Sequence, residues 1–566
     1  MFKRKNKFYL SLVLLLVLTL AFSGCAKPSE PAPAEKAEET SAEAPKEAST
    51  NEATTKEAEK SDAGPKYGGV FTTYLASNFD TLDPAFATAS KDGRMVALIY
   101  DSLIRYDVEG KVIPSLAKSW ETPDDKTLVF KLVENSKFHN GNPFTAKDVK
   151  YSFERVLDPK VASPRTWVFE KVKGAKDFME GKVDTVEGIE VVDDYTVKLT
   201  LEQPFAPFLS MLGMPAAHIV DKNEIEKYDD QKDYALKPVG TGPFTFVEFI
   251  EGDKLVLDAN KEYFAGRPYL DGIVHRIIKD DSTAVAEFEA GNIDDLEIPS
   301  VDVERFRNNP DYKDHIITYN TFWNYYIGLS FDKEPFNDVR VRKAFCYAVD
   351  REAIINTARR NTSALSHGPI PPGLDGFRKD LKSYPYDPEK AKQLLAEAGY
   401  SEDNPCSFEL WHSDAKTNVA LLEPVQAMLN QVGFDVKLAS MEWNSYKAAV
   451  RGGKAQAFYL SWGADYPDAE NYLYPLFHSS MSGGGGNETR YNNPEFDKII
   501  EKAQATADYD ERIKLYQQAE DMTIEDAARL WVYLSKRWDV FSPDVKDMKI
   551  YRIFNAQKYL DVWLDR

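Results

Sequence analysis

Gly240-Thr241-Gly242-Pro243-Phe244-Thr245-Phe246-Val247 admits two readings, and they lead to different folds. Two glycines around a threonine look like a phosphate loop, which needs a helix N-terminus behind it to hold the anion. Here a proline comes next, and then alternating aromatic and β-branched residues, which favour an extended chain. The segment therefore reads as a turn feeding a strand, with no anion site. Working outward, Leu128, Phe130 and Leu132 alternate after Asp124-Asp125, and Tyr195, Val197, Leu199 and Leu201 alternate after Asp193-Asp194, each a half-buried strand entered from a turn. Helices interleave with these strands. Asp387-Pro388 followed by Ala391, Leu394, Leu395, Ala398 and Gly399 supplies an N-cap, a proline at the first helical position, an apolar face and a C-terminal glycine. Thr145 caps a helix carrying Val149 and Phe153, and Asn337 or Asp338 caps one carrying Val341, Phe345 and Ala348. No internal repeat is present, and from Gly68 onward the class is mixed α/β.

The chain has 566 residues, too many for one hydrophobic core, so several folded units are expected. A hydrophobic share of 43% and a charged share of 28% exclude wholesale disorder, collagen and coiled coil. The formal net charge of -21 excludes a sequence-independent grip on nucleic-acid phosphates. Only three cysteines occur, so stability rests on packing; Cys346 and Cys406 read as buried free thiols. Zinc, thiol-redox, nucleophile-elbow and nucleotide-loop patterns are missing and the seven histidines are scattered, so neither a metal nor a cofactor is expected. Gly483 to Gly486 reads as a flexible surface loop. What stands out is the aromatic content, 32 Phe, 30 Tyr and 9 Trp, several beside turn residues, as a binding cleft for an organic ligand requires.

Residues 1–24 begin with Lys3, Arg4, Lys5 and Lys7 and continue as a mostly apolar run from Phe8 to Phe22, too short for a stable membrane span and typical of a secretory signal. Ser23 and Gly24 precede Cys25, which resembles a bacterial lipoprotein cleavage site, with Phe22 standing where an aliphatic residue is usual. That resemblance implies a lipid on Cys25. Residues 26–65 contain ten Ala and nine Glu with no aromatic or large aliphatic residue, a disordered acidic tether that as a random coil spans roughly 35 Å.

Six segments fall in a recognisable order. They are Tyr100-Asp101-Ser102-Leu103 with Pro114 to Glu121, Lys137-Phe138-His139-Asn140-Gly141 with Thr145 to Val149, Gly240 to Phe244, Asn337 to Ala344, Asp387 to Gly399, and Trp462-Gly463-Ala464-Asp465-Tyr466-Pro467-Asp468. With them residues 68–566 closely resemble the solute-binding protein family 5, the receptors of peptide and nickel ABC importers. The resemblance implies a class II periplasmic-binding-protein-like α/β fold of two lobes joined by a hinge, with a small extra domain inserted in the first lobe. On this chain the first lobe takes 66–103, 236–321 and 530–566, the extra domain 104–235, and the second lobe 322–529. It also implies a peptide ligand, ABC permease subunits as partners, membrane attachment through the N-terminal lipid, a monomer, and no catalysis.

The same resemblance implies the site residues. Asp465 matches the aspartate that meets the peptide's α-ammonium group in peptide binders, where charge-assisted hydrogen bonds are worth about 1.5–3 kcal/mol. Trp462 and Trp443 match aromatic positions lining side-chain pockets. Ser461 and Gly463, with Thr88, Ala89 and Ser90, would pair main chain with an extended ligand, which holds a peptide without reading its side chains. Trp167 reaches from the extra domain. Dipeptide-selective relatives place an arginine after the strand ending near Trp411; here the stretch is His412-Ser413-Asp414-Ala415-Lys416, and Lys416 resembles the basic position that oligopeptide binders offer to a ligand C-terminus. The competing readings are a nickel-chelate or heme receptor on the same fold, a secreted hydrolase, and a receptor that senses peptides without transport.

Overall fold

The computed structural model describes residues 64–228, 231–483 and 486–566; the leader, Cys25 and the Ala- and Glu-rich stretch up to 63 lie outside the described residues, as do Gly484 and Gly485. The expected helices form where their caps stand. Asp387 accepts the Lys390 N–H and Pro388 opens the helix Pro388–Glu397. Asp338 accepts the Arg340 N–H at the head of Val339–Ala348. Asp148 reaches back to the Thr145 N–H at 2.8 Å and fixes the start of Ala146–Leu157. Val149 and Phe153 on that helix are buried in the largest core cluster.

Three main sheets organise the chain. Val70–Leu75 runs parallel to Gly272–Ile277, which continues antiparallel through Lys254–Ala259 to Phe244–Ile250, so the turn at Gly240 to Gly242 does feed a strand. Residues 117–200 build a separate four-stranded antiparallel sheet in which Thr127–Leu132 pairs with Ala117–Asp124 and Thr196–Thr200. Leu128, Phe130 and Leu132 face its core with Val197 and Leu199, as their alternation predicts. The third sheet has seven strands. Cys406–Ser413 lies between parallel neighbours Phe434–Met441 and Ala457–Gly463, and the last of these meets Ile316–Leu329 antiparallel. Ile316–Leu329 then pairs with Arg529–Phe541 from Ile316 opposite Val540 to Gly328 opposite Arg529, with register shifts between Asn320 and Asn324 and between Tyr325 and Tyr326. Two long strands thus run through the region where the lobes were expected to meet. This is the two-lobe fold that the sequence implies.

Three of the six segments that carry the family resemblance, those at Tyr100, Lys137 and Gly240, converge in one place. Gly242 donates its N–H to the Ile99 carbonyl at 2.8 Å, His139 donates its backbone N–H to the Gly240 carbonyl at 2.8 Å, and the His139 ring contacts the Gly242 carbonyl at 3.0 Å through Nε2. Thr241 Oγ1 donates to Asp101 at 3.1 Å, and the buried Asp101 also receives Tyr263 at 3.0 Å and Lys558 Nζ at 2.8 Å. The chain passes so close to itself here that a Cβ on Gly240 would sit 2.1 Å from the Ile99 carbonyl oxygen. Glycine is needed for that approach. Gly240→Ala should destabilise by about 1–3 kcal/mol, the usual cost of forcing an added methyl into packed backbone, and appear as a lower urea midpoint.

Cys346 lies in the helix Val339–Ala348 and Cys406 opens its strand; both are buried free thiols, and burial pushes each pKa up to about 12.

Candidate functional site

A cavity of about 970 Å³ is walled by several separated parts of the chain. Thr88, Ala89 and Ser90 lead into the helix Ser90–Ile99 and form one side. Trp167, in the short turn Thr166–Val168, reaches in from the region of the four-stranded antiparallel sheet, and its ring lies 6.5 Å from that of Tyr466. Ser461, Trp462 and Gly463 end the strand Ala457–Gly463, and Asp465 comes two residues later. Trp443 opens the helix Trp443–Arg451, capped by the Glu442 carboxylate on the Asn444 and Ser445 N–H groups. It remains 46% exposed, an unusual state for a tryptophan unless it faces a cleft.

One edge of the strand end is paired: Gly463 stands opposite Trp323 and Ser461 opposite Tyr325. The other edge pairs with Cys406–Ser413 only at Ala457 and Phe458, so from Leu460 to Gly463 no described strand takes its place in the ladder. An unpaired edge lining a cavity is where an extended ligand can add as a strand. Gly463 has its own reason to be small: a Cβ there would lie 2.5 Å from the Trp323 ring.

Asp465 sits at the end of that edge. Its backbone N–H is held by Asn471 Oδ1 at 2.9 Å, and its carboxylate lies 3.5 Å from Arg165 Nη1. Burial raises its pKa above the usual 3.8, and the Arg165 guanidinium offsets only part of the rise. Other carboxylates of the wall are engaged. Glu470 takes the Tyr466 hydroxyl and Gln504 Nε2, and burial pushes it up to about 7, while Glu488 faces Arg529 at 3.6 Å. Asp465, held by one guanidinium contact at 3.5 Å, leaves room for a cationic ligand group.

The sequence model of the bacterial extracellular solute-binding proteins, family 5, matches residues 111–484. The chain belongs to this family. Among curated solute-binding proteins it is 33% identical over 471 residues to heme-binding protein A of Haemophilus influenzae, covering 79% of this chain and 84% of that one. It is 30% identical over 473 residues to the dipeptide-binding protein of Escherichia coli, covering 80% and 86%. Among solved structures it superposes with a TM-score of 0.74 on the periplasmic binding protein DppA of Helicobacter pylori in complex with the peptide STSA, at 28% identity and covering 88% and 99%.

Within this solute-binding protein, Thr88, Ala89, Ser90, Trp167, Trp443, Ser461, Trp462, Gly463 and Asp465 all line the cavity. Lys416 does not: it is exposed at the first turn of the helix Lys416–Gln431. The preceding His412 is buried and its Nδ1 contacts the Ser413 carbonyl at 2.7 Å. Among the wall residues that the sequence reading missed are Trp323 and Arg165. Trp323 is 40% exposed on the strand Ile316–Leu329, where its neighbours Phe322 and Tyr326 are buried, so its position on the open face was the available signal. Arg165 sits between Pro164 and Trp167 and became visible only when the fold set it against Asp465. A second cavity of about 530 Å³, lined by Arg94, His275, Asp295, Arg537 and Asp539 among others, holds none of the expected site residues. Among the described residues no three His, Cys, Asp or Glu side chains are grouped to hold a metal ion, and no helix is long and apolar enough to cross a membrane.

Proposed function

We propose that this chain is the extracytoplasmic peptide-binding lipoprotein of an ABC importer. The carrying observation is Asp465, a carboxylate at the end of an unpaired strand edge inside a cavity of about 970 Å³. A peptide lies along Leu460 to Gly463 as an added strand, with Thr88 to Ser90 on its other side and its α-ammonium on Asp465. Main-chain pairing supplies affinity that is tolerant of sequence, and Trp443, Trp462, Trp323 and Trp167 shape the side-chain pockets. The volume lies at the upper end of the roughly 300–1,000 Å³ typical of ligand pockets, which suits an oligopeptide, as does the four-residue peptide bound by the Helicobacter pylori relative.

The lobes divide at about 321 and 529 and close over the ligand about Ile316–Leu329 and Arg529–Phe541, whose pairing is interrupted by a register shift between Asn320 and Asn324, at the first of those junctions. The ligand acts by shifting an open–closed equilibrium, a permease reads the closed form, and ATP is hydrolysed on separate subunits, so this chain acts as a monomeric receptor without catalysis. Cys25 carries the lipid, and the tether holds the receptor clear of the membrane.

Mass spectrometry of small molecules that co-purify with the protein tests this reading. Peptides of several residues are expected; cleaved products from added peptides would point to a hydrolase. A heme receptor is favoured by one observation, the 33% identical relative named for heme binding. A porphyrin absorbance band in the purified protein, with no peptide masses, would select it.

A further inference from the structure

Arg165 occupies the place where the peptide's amino terminus is to be received. Its Nη2 donates to the Thr88 carbonyl at 2.9 Å, its Nε to the Ala87 carbonyl at 3.4 Å, and its Nη1 lies 3.5 Å from Asp465 Oδ1. The guanidinium also sits 5.7 Å from the centre of the Trp167 ring, and its side chain is only 11% exposed. Those contacts fix it in one orientation across the cavity wall. A guanidinium has five donors, so two further N–H groups remain beyond these three contacts.

The charge balance decides what such a site prefers. Asp465 and Arg165 already sum to zero. An α-ammonium with no other charge nearby would bring an uncompensated positive charge into an enclosed space, which is costly unless it is paired. A lysine or arginine as first residue would add a second. A first residue with a carboxylate side chain instead arrives neutral, its ammonium on Asp465 and its carboxylate on Arg165, and guanidinium with carboxylate makes the stronger two-bond pairing. The other wall carboxylates have cationic or hydrogen-bonding partners of their own: Glu470 is held by Tyr466 and Gln504, Glu488 faces Arg529, and Glu170 faces Lys171 at 3.8 Å.

We propose that Arg165 is a specificity-determining residue that makes this receptor select peptides beginning with aspartate or glutamate over those beginning with a basic residue. The proposal rests on the receptor being a peptide binder. The test is calorimetry of Glu-Ala-Ala, Ala-Ala-Ala and Lys-Ala-Ala against the wild type and Arg165→Met. The wild type binds in the order Glu first, Ala first, Lys first, with at least a tenfold span in Kd between the ends; in Arg165→Met the span collapses or reverses. A wild type that binds Lys-Ala-Ala as tightly as Glu-Ala-Ala overturns the proposal whatever the variant does, and so does an unchanged span in Arg165→Met. Wild type that binds none of the three peptides contradicts the peptide reading itself, whereas equal binding of all three leaves that reading standing and removes only the role of Arg165.

Discussion

Asp465→Ala raises the dissociation constant for short peptides by about tenfold to a hundredfold in calorimetry, the loss expected when a charge-assisted contact worth about 1.5–3 kcal/mol disappears. The variant also leaves Arg165 without its 3.5 Å carboxylate partner, so the enclosed site becomes net positive and repels the incoming ammonium. Wild-type binding carries a matching pH signature. Because burial raises the Asp465 pKa above 3.8, the carboxylate form is lost on acidification earlier than for an exposed aspartate, and affinity falls with it. Asp465→Ala has no carboxylate to titrate, so that segment of the pH profile should flatten. An affinity within twofold of wild type would remove Asp465 from the site.

The second large effect concerns stability. Lys558→Met should cost about 3–5 kcal/mol, because removing one partner of a buried pair leaves the other charge uncompensated. Lys558 Nζ donates to Asp101 at 2.8 Å and to the Tyr100 carbonyl at 2.7 Å, and neither side chain is more than 5% exposed. Burial alone would raise the Asp101 pKa, yet the Lys558 ammonium beside it, helped by the Tyr263 hydroxyl, brings it below the usual 3.8. A carboxyl lowered on folding contributes stability that is present above its unfolded value, about pH 4, and lost as pH falls through the folded one. Urea titrations at neutral pH and near pH 3 check both statements: the variant's deficit should be large at neutral pH and shrink in acid. A deficit below about 1 kcal/mol at neutral pH would show that the junction holds without this pair.

The same junction explains why the fold was legible in the sequence. Tyr100-Asp101, Lys137 to Gly141 and Gly240 to Phe244 lie far apart in the chain, but each meets a requirement that few residues satisfy. Asp101 collects three side-chain donors, and Gly240 and Gly242 let backbone touch backbone. Caps such as Asp387 and Asp338 were equally readable because they act within three residues of themselves. Asp465 and its strand were found through a continuous segment. Arg165 was not, because its meaning depends on a carboxylate 300 positions away in sequence and 3.5 Å away in space. Lys416 shows the converse: its position in the chain resembled a ligand contact, but the helix it opens leaves it exposed outside the cavity wall.

The proposed receptor holds a peptide by its free amino terminus, and calorimetry of Ala-Ala-Ala against N-acetyl-Ala-Ala-Ala with the wild-type protein is the decisive check. Acetylation removes the charge that Asp465 is proposed to receive and leaves the main chain intact, so a loss of about tenfold or more in affinity is expected. Equal affinities for the two peptides would contradict capture at the amino terminus.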